Sequence, residues 1–496
     1  MSEFLKSNRR KGSSLCISVS PCLCGNESAL FTTEAQRHRD AQRRSFAWSL
    51  LVQIHSGYES DRFCGFAALC NLRIVLLLCL VATVRAEATP SYRFDFGPGR
   101  VAAGYTRVLA ENVYSQDRGY GFEPGAAIRC FDRSGPDALR RDFCTSNSPF
   151  YFSVALPEGN YLVRVIFGDY ESNTATTVKA ELRRLMLERV ETTRGKFVTK
   201  TFAVNVRTPA IAGGAEVKLK DRERTSEAWA WDEKLTLEFN DAHPVVNTIE
   251  ITRTEHLPTI YLLGDSTVCD QPSEPYASWG QMLTRFLKPE VVVANNAESG
   301  ESLRSSLAAR RLDKVISTIR PGDYLLIQYG HNDEKEKGEG VGAFTTYKAD
   351  LKKFIAAARH KGATPVLITP VQRRTFDQQG RITNSHGDYP EAVRQVAREE
   401  QVGLIDLHLM STHFYEALGP ERSKLAFKDG DATHHNNYGS YELAKCVVEG
   451  IRTAKLEMVK YVIDDFKGFD PSRPDSIEAF SLPASPAVTT TKPLGN

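Results

Sequence analysis

The sequence predicts an α/β fold, a parallel sheet with helices on both faces, preceded by an all-β sandwich. Three observations carry this. From Thr259 onward, short apolar runs alternate with amphipathic stretches of helical length, the signature of a parallel sheet covered on both faces. From Ser91 to Thr254, apolar residues instead recur at every second position between Gly, Pro and Asn breaks. The short segment Glu255-His256-Leu257-Pro258 separates the two patterns as a linker.

A chain of 496 residues has room for two to four domains. Hydrophobic residues at 41% and charged residues at 25% are the composition of a globular protein. The formal net charge of +2 hides a basic excess confined to residues 1–86. The remainder is near-neutral, which argues against nucleic-acid binding as the main role.

Taken in order, residues 1–71 show scattered cysteines (Cys16, Cys22, Cys24, Cys64, Cys70) and no sustained period. Cys22-x-Cys24 lacks the spacing and partner pairs of a zinc site. From Leu72 to Ala86, Arg73 precedes an apolar run that ends in the small-x-small triplet Val84-Arg85-Ala86. This is a secretory signal in all but position, and it is too short for a comfortable membrane span. Residues 1–86 are therefore expected to be missing from a mature protein that is secreted or periplasmic, with no stable membrane span. The cysteines after Ala86 are Cys130, Cys144, Cys269 and Cys446. Export permits their oxidation. Cys130 and Cys144, close in a loop-rich stretch, are the expected pair, and Cys269 and Cys446 are expected to be buried and free.

In the β region, alternation marks strands at Tyr92–Phe96, Phe202–Val206, Leu235–Phe239 and Ile249–Ile251, with a more continuously apolar strand at Leu162–Phe167. Tyr114, Tyr120, Trp229 and Trp231 fall in loops; they suit either stacking on sugar rings or packing, and packing is the commoner use of such residues. In the second region, strands are expected at Thr259–Leu263, Val291–Asn295, Tyr324–Gln328, Pro365–Thr369 and Leu404–Leu407. Helices are expected at Ala277–Leu287, Arg304–Ile319, Thr345–Arg359, Glu391–Glu400 and Ser440–Ala454. The Pro-, Ala- and Thr-rich tail from Pro483 is expected to be disordered.

The chemistry-bearing motifs fall on that frame. Gly264-Asp265-Ser266-Thr267 follows the first strand, Glu298-Ser299-Gly300-Glu301 the second, and Gly330-His331-Asn332-Asp333 the third. Asp431-Ala432-Thr433-His434 precedes the last helix. Parallel strands bring their C-terminal ends to one edge, so these motifs can converge. Ser266 needs a base to become a nucleophile. His434 can take its proton near neutral pH, and Asp431 can orient the imidazole. A developing oxyanion needs fixed donors, and the Ser266 N–H, the Gly300 N–H and the Asn332 amide supply three.

Together, Gly264-Asp265-Ser266-Thr267, Gly300, Gly330-His331-Asn332-Asp333 and Asp431-x-x-His434 resemble the SGNH (GDSL-type) hydrolase family, and more narrowly its rhamnogalacturonan acetylesterases. The resemblance covers about Pro258 to Ala454. It implies a three-layer, flavodoxin-like α/β/α domain at residues 257–482, following a galactose-binding-like β-sandwich at 87–256, with residues 483–496 as the tail. It also implies catalytic Ser266, Asp431 and His434, an oxyanion hole of Ser266, Gly300 and Asn332, no cofactor or metal, and removal of O-acetyl groups from acetylated plant cell-wall rhamnogalacturonan. Asp265 and Asp333 are read as turn-fixing, His331 and His435 as packing neighbours, and His386 as a surface loop residue. Arg373, Arg374 and Arg381 are read as a solvated face that acidic sugars can also meet. The competing functions are an SGNH esterase or lipase on another acetylated glycan or lipid, a metallophosphoesterase, and a non-catalytic carbohydrate-binding protein. A phosphoesterase lacks its leading D-x-H upstream in this region, and no G-x-S-x-G elbow occurs.

Overall fold

The computed structural model describes residues 91–494; the signal-like run Leu72–Ala86 and the rest of the leader lie outside the described residues. The described residues lie in one compact unit. Its first part is built on two five-stranded sheets. One runs Phe197–Val206, Gly159–Gly168, Thr248–Thr254, Ser91–Phe96 and Thr106–Val108; the other runs Tyr120–Phe122, Phe150–Ala155, Lys234–His243, Thr174–Ala180 and Arg184–Thr192. Alternate residues point inward, so Phe94, Phe96, Phe152, Val163, Val165, Phe239, Ile249 and Ile251 make one apolar core. Cys130 and Cys144 sit directly opposite each other on paired strands and are bridged, while Cys269 and Cys446 are buried and free.

The four aromatics expected in loops serve packing, and Tyr120 stands at the start of strand Tyr120–Phe122 instead of in a loop. Tyr120 lies 5.0 Å from Phe94, Trp229 lies 5.2 Å from Tyr151, and the Arg207 guanidinium covers the buried Trp231 at 4.6 Å. Tyr114 meets Lys234 at 4.8 Å.

The second part is a five-stranded, wholly parallel sheet in the order Val292–Asn295, Thr259–Gly264, Tyr324–Gln328, Thr364–Ile368, Gly403–Ile405. In chain order this is 2-1-3-4-5, the flavodoxin-like arrangement. Its switch point lies between the strands that end at Gly264 and Gln328. Two separate apolar clusters line the sheet, one holding Leu262, Leu326 and Ile368, the other Leu263, Leu325 and Leu367. Successive residues of each strand thus bury on opposite faces.

Several expectations are corrected. The Arg304–Ile319 helix is two, Leu303–Ala308 and Arg311–Thr318, broken where Arg310 turns left-handed at φ 62°. Helix Leu407–Arg422 was missed; the Asp406 carboxylate caps it and ends the preceding strand at Ile405. Residues 483–489 of the tail are docked instead of disordered. Lys179 Nζ donates to the Pro483 carbonyl and to Ser485 Oγ, both at 2.7 Å, and Ser485 Oγ meets Glu238 at 2.7 Å. The Lys179–Glu238 pair is buried, and its spare hydrogen-bonding capacity is met by these tail groups. Val488 then bridges Glu274.

The two parts interlock. Leu185 of the β-rich part sits in the core of the α/β part. Arg184 donates to the Val293 and Asn205 carbonyls and lies 3.3 Å from Asp270. Arg183 donates to the Tyr276 carbonyl and pairs with Glu274 at 2.5 Å.

Candidate active site

The first strand ends at Gly264 because nothing larger fits: a Cβ there would lie 2.5 Å from Val268 Cγ2 and 2.7 Å from the Gln328 carbonyl. Asp265 then shapes the turn. Its Oδ1 accepts from the Thr267 N–H (2.9 Å) and hydroxyl (2.8 Å). Its Oδ2 meets His331 Nδ1 at 3.2 Å. Burial pushes the His331 imidazole down to about 4, so it faces the carboxylate as a neutral donor. The turn holds Ser266 at the switch point, with its Oγ 2.9 Å from His434 Nε2.

The histidine arrives on a compact loop. Asp431 Oδ1 accepts from the N–H groups of Thr433 (2.9 Å) and His434 (3.1 Å), and its Oδ2 lies 3.0 Å from His434 Nδ1. Burial opposes the Asp431 charge, but the hydrogen bond and charge of His434 and those two N–H groups outweigh it and hold the carboxyl well below the usual carboxylate range. A carboxylate at Nδ1 selects the tautomer that leaves Nε2 free to accept from the serine. The Tyr276 ring stands edge-on to His434 at 5.9 Å. Lys492 of the docked tail comes within 3.8 Å of Asp431 Oδ2.

The donor side is assembled by cross-links between loops. Gln271 Nε2 donates to the Ser266 carbonyl at 2.8 Å and to Ser299 Oγ at 3.2 Å, which brings the residue before Gly300 to the serine turn. Gly300 is left-handed at φ 78°, a conformation that favours glycine. Asn332 Nδ2 donates to the Glu301 carbonyl at 2.9 Å. One amide hydrogen thus ties the third-strand loop to the Gly300 loop, and the amide carries a second. Asp333 Oδ1 accepts from the Leu303 N–H at 2.9 Å, a turn-fixing role. His435 packs against Phe427 and meets the Tyr415 hydroxyl at 2.6 Å.

His386 corrects the surface reading. It is buried, with Nδ1 2.7 Å from Glu334 and Nε2 2.8 Å from the Val371 carbonyl. Its loop folds inward because Glu334 draws in both His386 and Arg373, the latter at 2.5 Å. Arg381 pairs with Asp377 at 3.3 Å. The sequence reading missed Gln271 and Tyr276, neither of which lies in one of its motifs. No group of three or more metal-ligating side chains, and no helix long and apolar enough to cross a membrane, occurs among the described residues.

Comparison with known proteins adds the following. The GDSL-like lipase/acylhydrolase family model matches residues 262–440, and a β-agarase/YxiM esterase-like, galactose-binding domain-like model matches residues 92–208. The chain is 41% identical over 219 residues to rhamnogalacturonan acetylesterase RhgT of Bacillus subtilis, which covers 41% of this chain and 94% of that protein. It is 30% identical over 390 residues to the uncharacterized esterase YxiM of Bacillus subtilis, covering 76% of this chain and 96% of that one. The crystal structure of YxiM aligns with a TM-score of 0.40 at 27% identity, over 74% of this chain and 99% of that chain.

Proposed function

The chain belongs to the GDSL-like lipase/acylhydrolase family and is a carboxylic ester hydrolase, and from that premise we propose that it removes O-acetyl groups from pectic rhamnogalacturonan through an acetyl-Ser266 intermediate. The observation that carries the mechanism is the relay Ser266 Oγ–His434 Nε2–Asp431, at 2.9 and 3.0 Å. Ser266 Oγ attacks the acetyl carbonyl while its proton passes to His434 Nε2. The Ser266 and Gly300 N–H groups and the Asn332 amide receive the oxyanion. Collapse breaks the ester bond, and the departing sugar oxygen takes the proton back from His434. Water, deprotonated by the same imidazole, then attacks the acetyl-serine, and acetate leaves as Ser266 regains its proton.

The substrate is supported by the likeness to RhgT, and export by the signal-like run from Arg73 to Ala86. The test is acetate release from acetylated rhamnogalacturonan, acetyl-xylan and an aryl acetate. Preference for the first supports the assignment, and turnover of the aryl acetate alone would remove it. N-terminal sequencing of secreted protein should begin near Glu87; an intact Met1 on the exported, active protein would end the export proposal.

A further inference from the structure

The peptide between Ser299 and Gly300 is gripped from the far side by two cations of the β-rich part. Lys220 Nζ and Arg222 Nη2 both donate to the Ser299 carbonyl oxygen, each at 2.6 Å. That carbonyl has two lone pairs, so two charged donors match its accepting capacity. The carbonyl and the following N–H belong to one rigid, trans peptide plane and point in opposite directions. Whatever fixes the Ser299 oxygen therefore fixes the direction of the Gly300 N–H.

We propose that Lys220 and Arg222 are positioning residues that aim and polarise the Ser299–Gly300 peptide as an oxyanion donor, a proposal that rests on the esterase mechanism above. Charge-assisted hydrogen bonds to an amide oxygen draw electron density toward it, and the N–H of the same amide becomes a stronger donor. A donor already aimed costs no reorganisation as charge develops.

The surroundings call for these cations. The loop carries Glu298 and Glu301 on either side of Ser299–Gly300, and both are buried. Left alone, two carboxylates beside the site would repel a developing oxyanion. Arg222 pairs with Glu298, and Lys220 Nζ lies 2.6 Å from Glu301. Arg311 approaches Glu301 at 3.7 Å. The segment that presents the cations is itself anchored to the α/β part. The Lys218 N–H donates to the Ala309 carbonyl at 3.0 Å, the Lys220 N–H donates to Glu223 at 2.9 Å, and Glu223 meets Arg311 at 2.6 Å. The β-rich part thus completes the oxyanion side of the site.

The experiment uses the full chain with Lys220→Met, Arg222→Met and the double substitution, alongside Ser266→Ala. Aryl-acetate turnover is expressed per active site by titration with a serine-reactive phosphonate, which removes any loss through misfolded protein. Each single change should lower kcat about 10-fold and the double change about 100-fold, with KM within about 2-fold, by the scale of a weakened oxyanion donor. Inhibition by a boronic acid, which forms a tetrahedral adduct on the serine, should weaken in step with kcat. Lys220→Gln keeps a donor without the charge and should fall between. Arg222→Lys should restore most of the rate. A double variant with kcat per site within about 2-fold of the parent, or boronate affinity unchanged while kcat falls, would overturn the clamp. Activity surviving in Ser266→Ala would instead overturn the underlying mechanism.

Discussion

The loop carrying His434 and the loop carrying Gly300 reach the same serine and are built in opposite ways. Asp431–His434 draws its orienting contacts from close by: the proposed base, the carboxylate at its Nδ1 and the two N–H groups that carboxylate accepts from lie within four consecutive residues. Glu298–Glu301 owes its shape to groups far away in the chain: Lys220, Arg222, Gln271 and Asn332. The proposed proton-transfer half of the site is held mainly by local contacts, and the proposed charge-stabilising half is a product of tertiary structure. The first half should therefore fail through changes within its own loop, and the second through changes remote from it.

The largest effect should come from the local loop. His434→Ala removes the base and should lower kcat by about 10⁴–10⁶-fold. Asp431→Asn, which presents the wrong hydrogen-bonding pattern to Nδ1, should lower it by about 10⁴-fold. Both are measured on aryl acetate with folding checked by thermal melts. A His434→Ala enzyme within about 10-fold of the parent would end the comparison. Among the remote groups that hold the other loop, Asn332→Ala should lower kcat by about 10²–10³-fold with little change in KM. Asn332→Asp should be as poor or worse, since a carboxylate repels the oxyanion; a near-normal Asp variant would reduce Asn332 to a turn residue.

The legibility of the sequence follows the same division. The convergence of Ser266, Asp431 and His434 was readable because Gly264-Asp265-Ser266-Thr267 and Asp431-x-x-His434 are short and strand ends are visible as apolar runs. Lys220 and Arg222 were not, because a basic pair in a polar loop looks like solvated surface until the fold sets it against the Ser299 carbonyl. His386 was misread for the same reason: Asn384-Ser385-His386-Gly387 reads as an exposed turn, and its burial is explained by Glu334 and the Val371 carbonyl. Helix Leu407–Arg422 was obscured by Gly419-Pro420, where the backbone kinks. Pro483–Thr491 looked disordered by composition, whereas Ser485 fills a buried polar gap that composition cannot report.

Burial shifts ionisable groups in both the β-rich and the α/β part. Burial raises carboxyls in the first: Asp142 to about 7, Glu227 to about 7 and Glu181 to about 8. It depresses imidazoles in the second: His331 and His408 to about 4 and His435 to about 3. A raised carboxyl contributes stability that is full below its unfolded value of about 4 and is lost as pH rises through 7 to 8. A depressed imidazole contributes stability that is present above about 6.5 and is lost as pH falls through 4 to 3. Asp270, Asp333 and Glu442 of the α/β part are raised by burial as well, so chemical denaturation of the whole chain should show stability falling both as pH rises through 7 to 8 and as it falls through 4 to 3. A stability unchanged across either window would refute that dependence.

The smallest expected effect tests how locally the histidine loop is held. Lys492 approaches Asp431 at 3.8 Å, and its side chain is half exposed. An ion pair of this kind contributes about 0–1 kcal/mol, so Lys492→Met should change kcat by no more than about 5-fold. A larger loss would make the docked tail part of the catalytic loop.

The central claim, that Ser266 carries the acyl group, is tested most directly by rapid-quench mass spectrometry during turnover of acetylated rhamnogalacturonan. A single acetyl group on the peptide containing Ser266, forming and decaying at rates that account for acetate release, is the expected result. Acetate released with no acetyl on that peptide, or acetylation of a different residue at those rates, would contradict it.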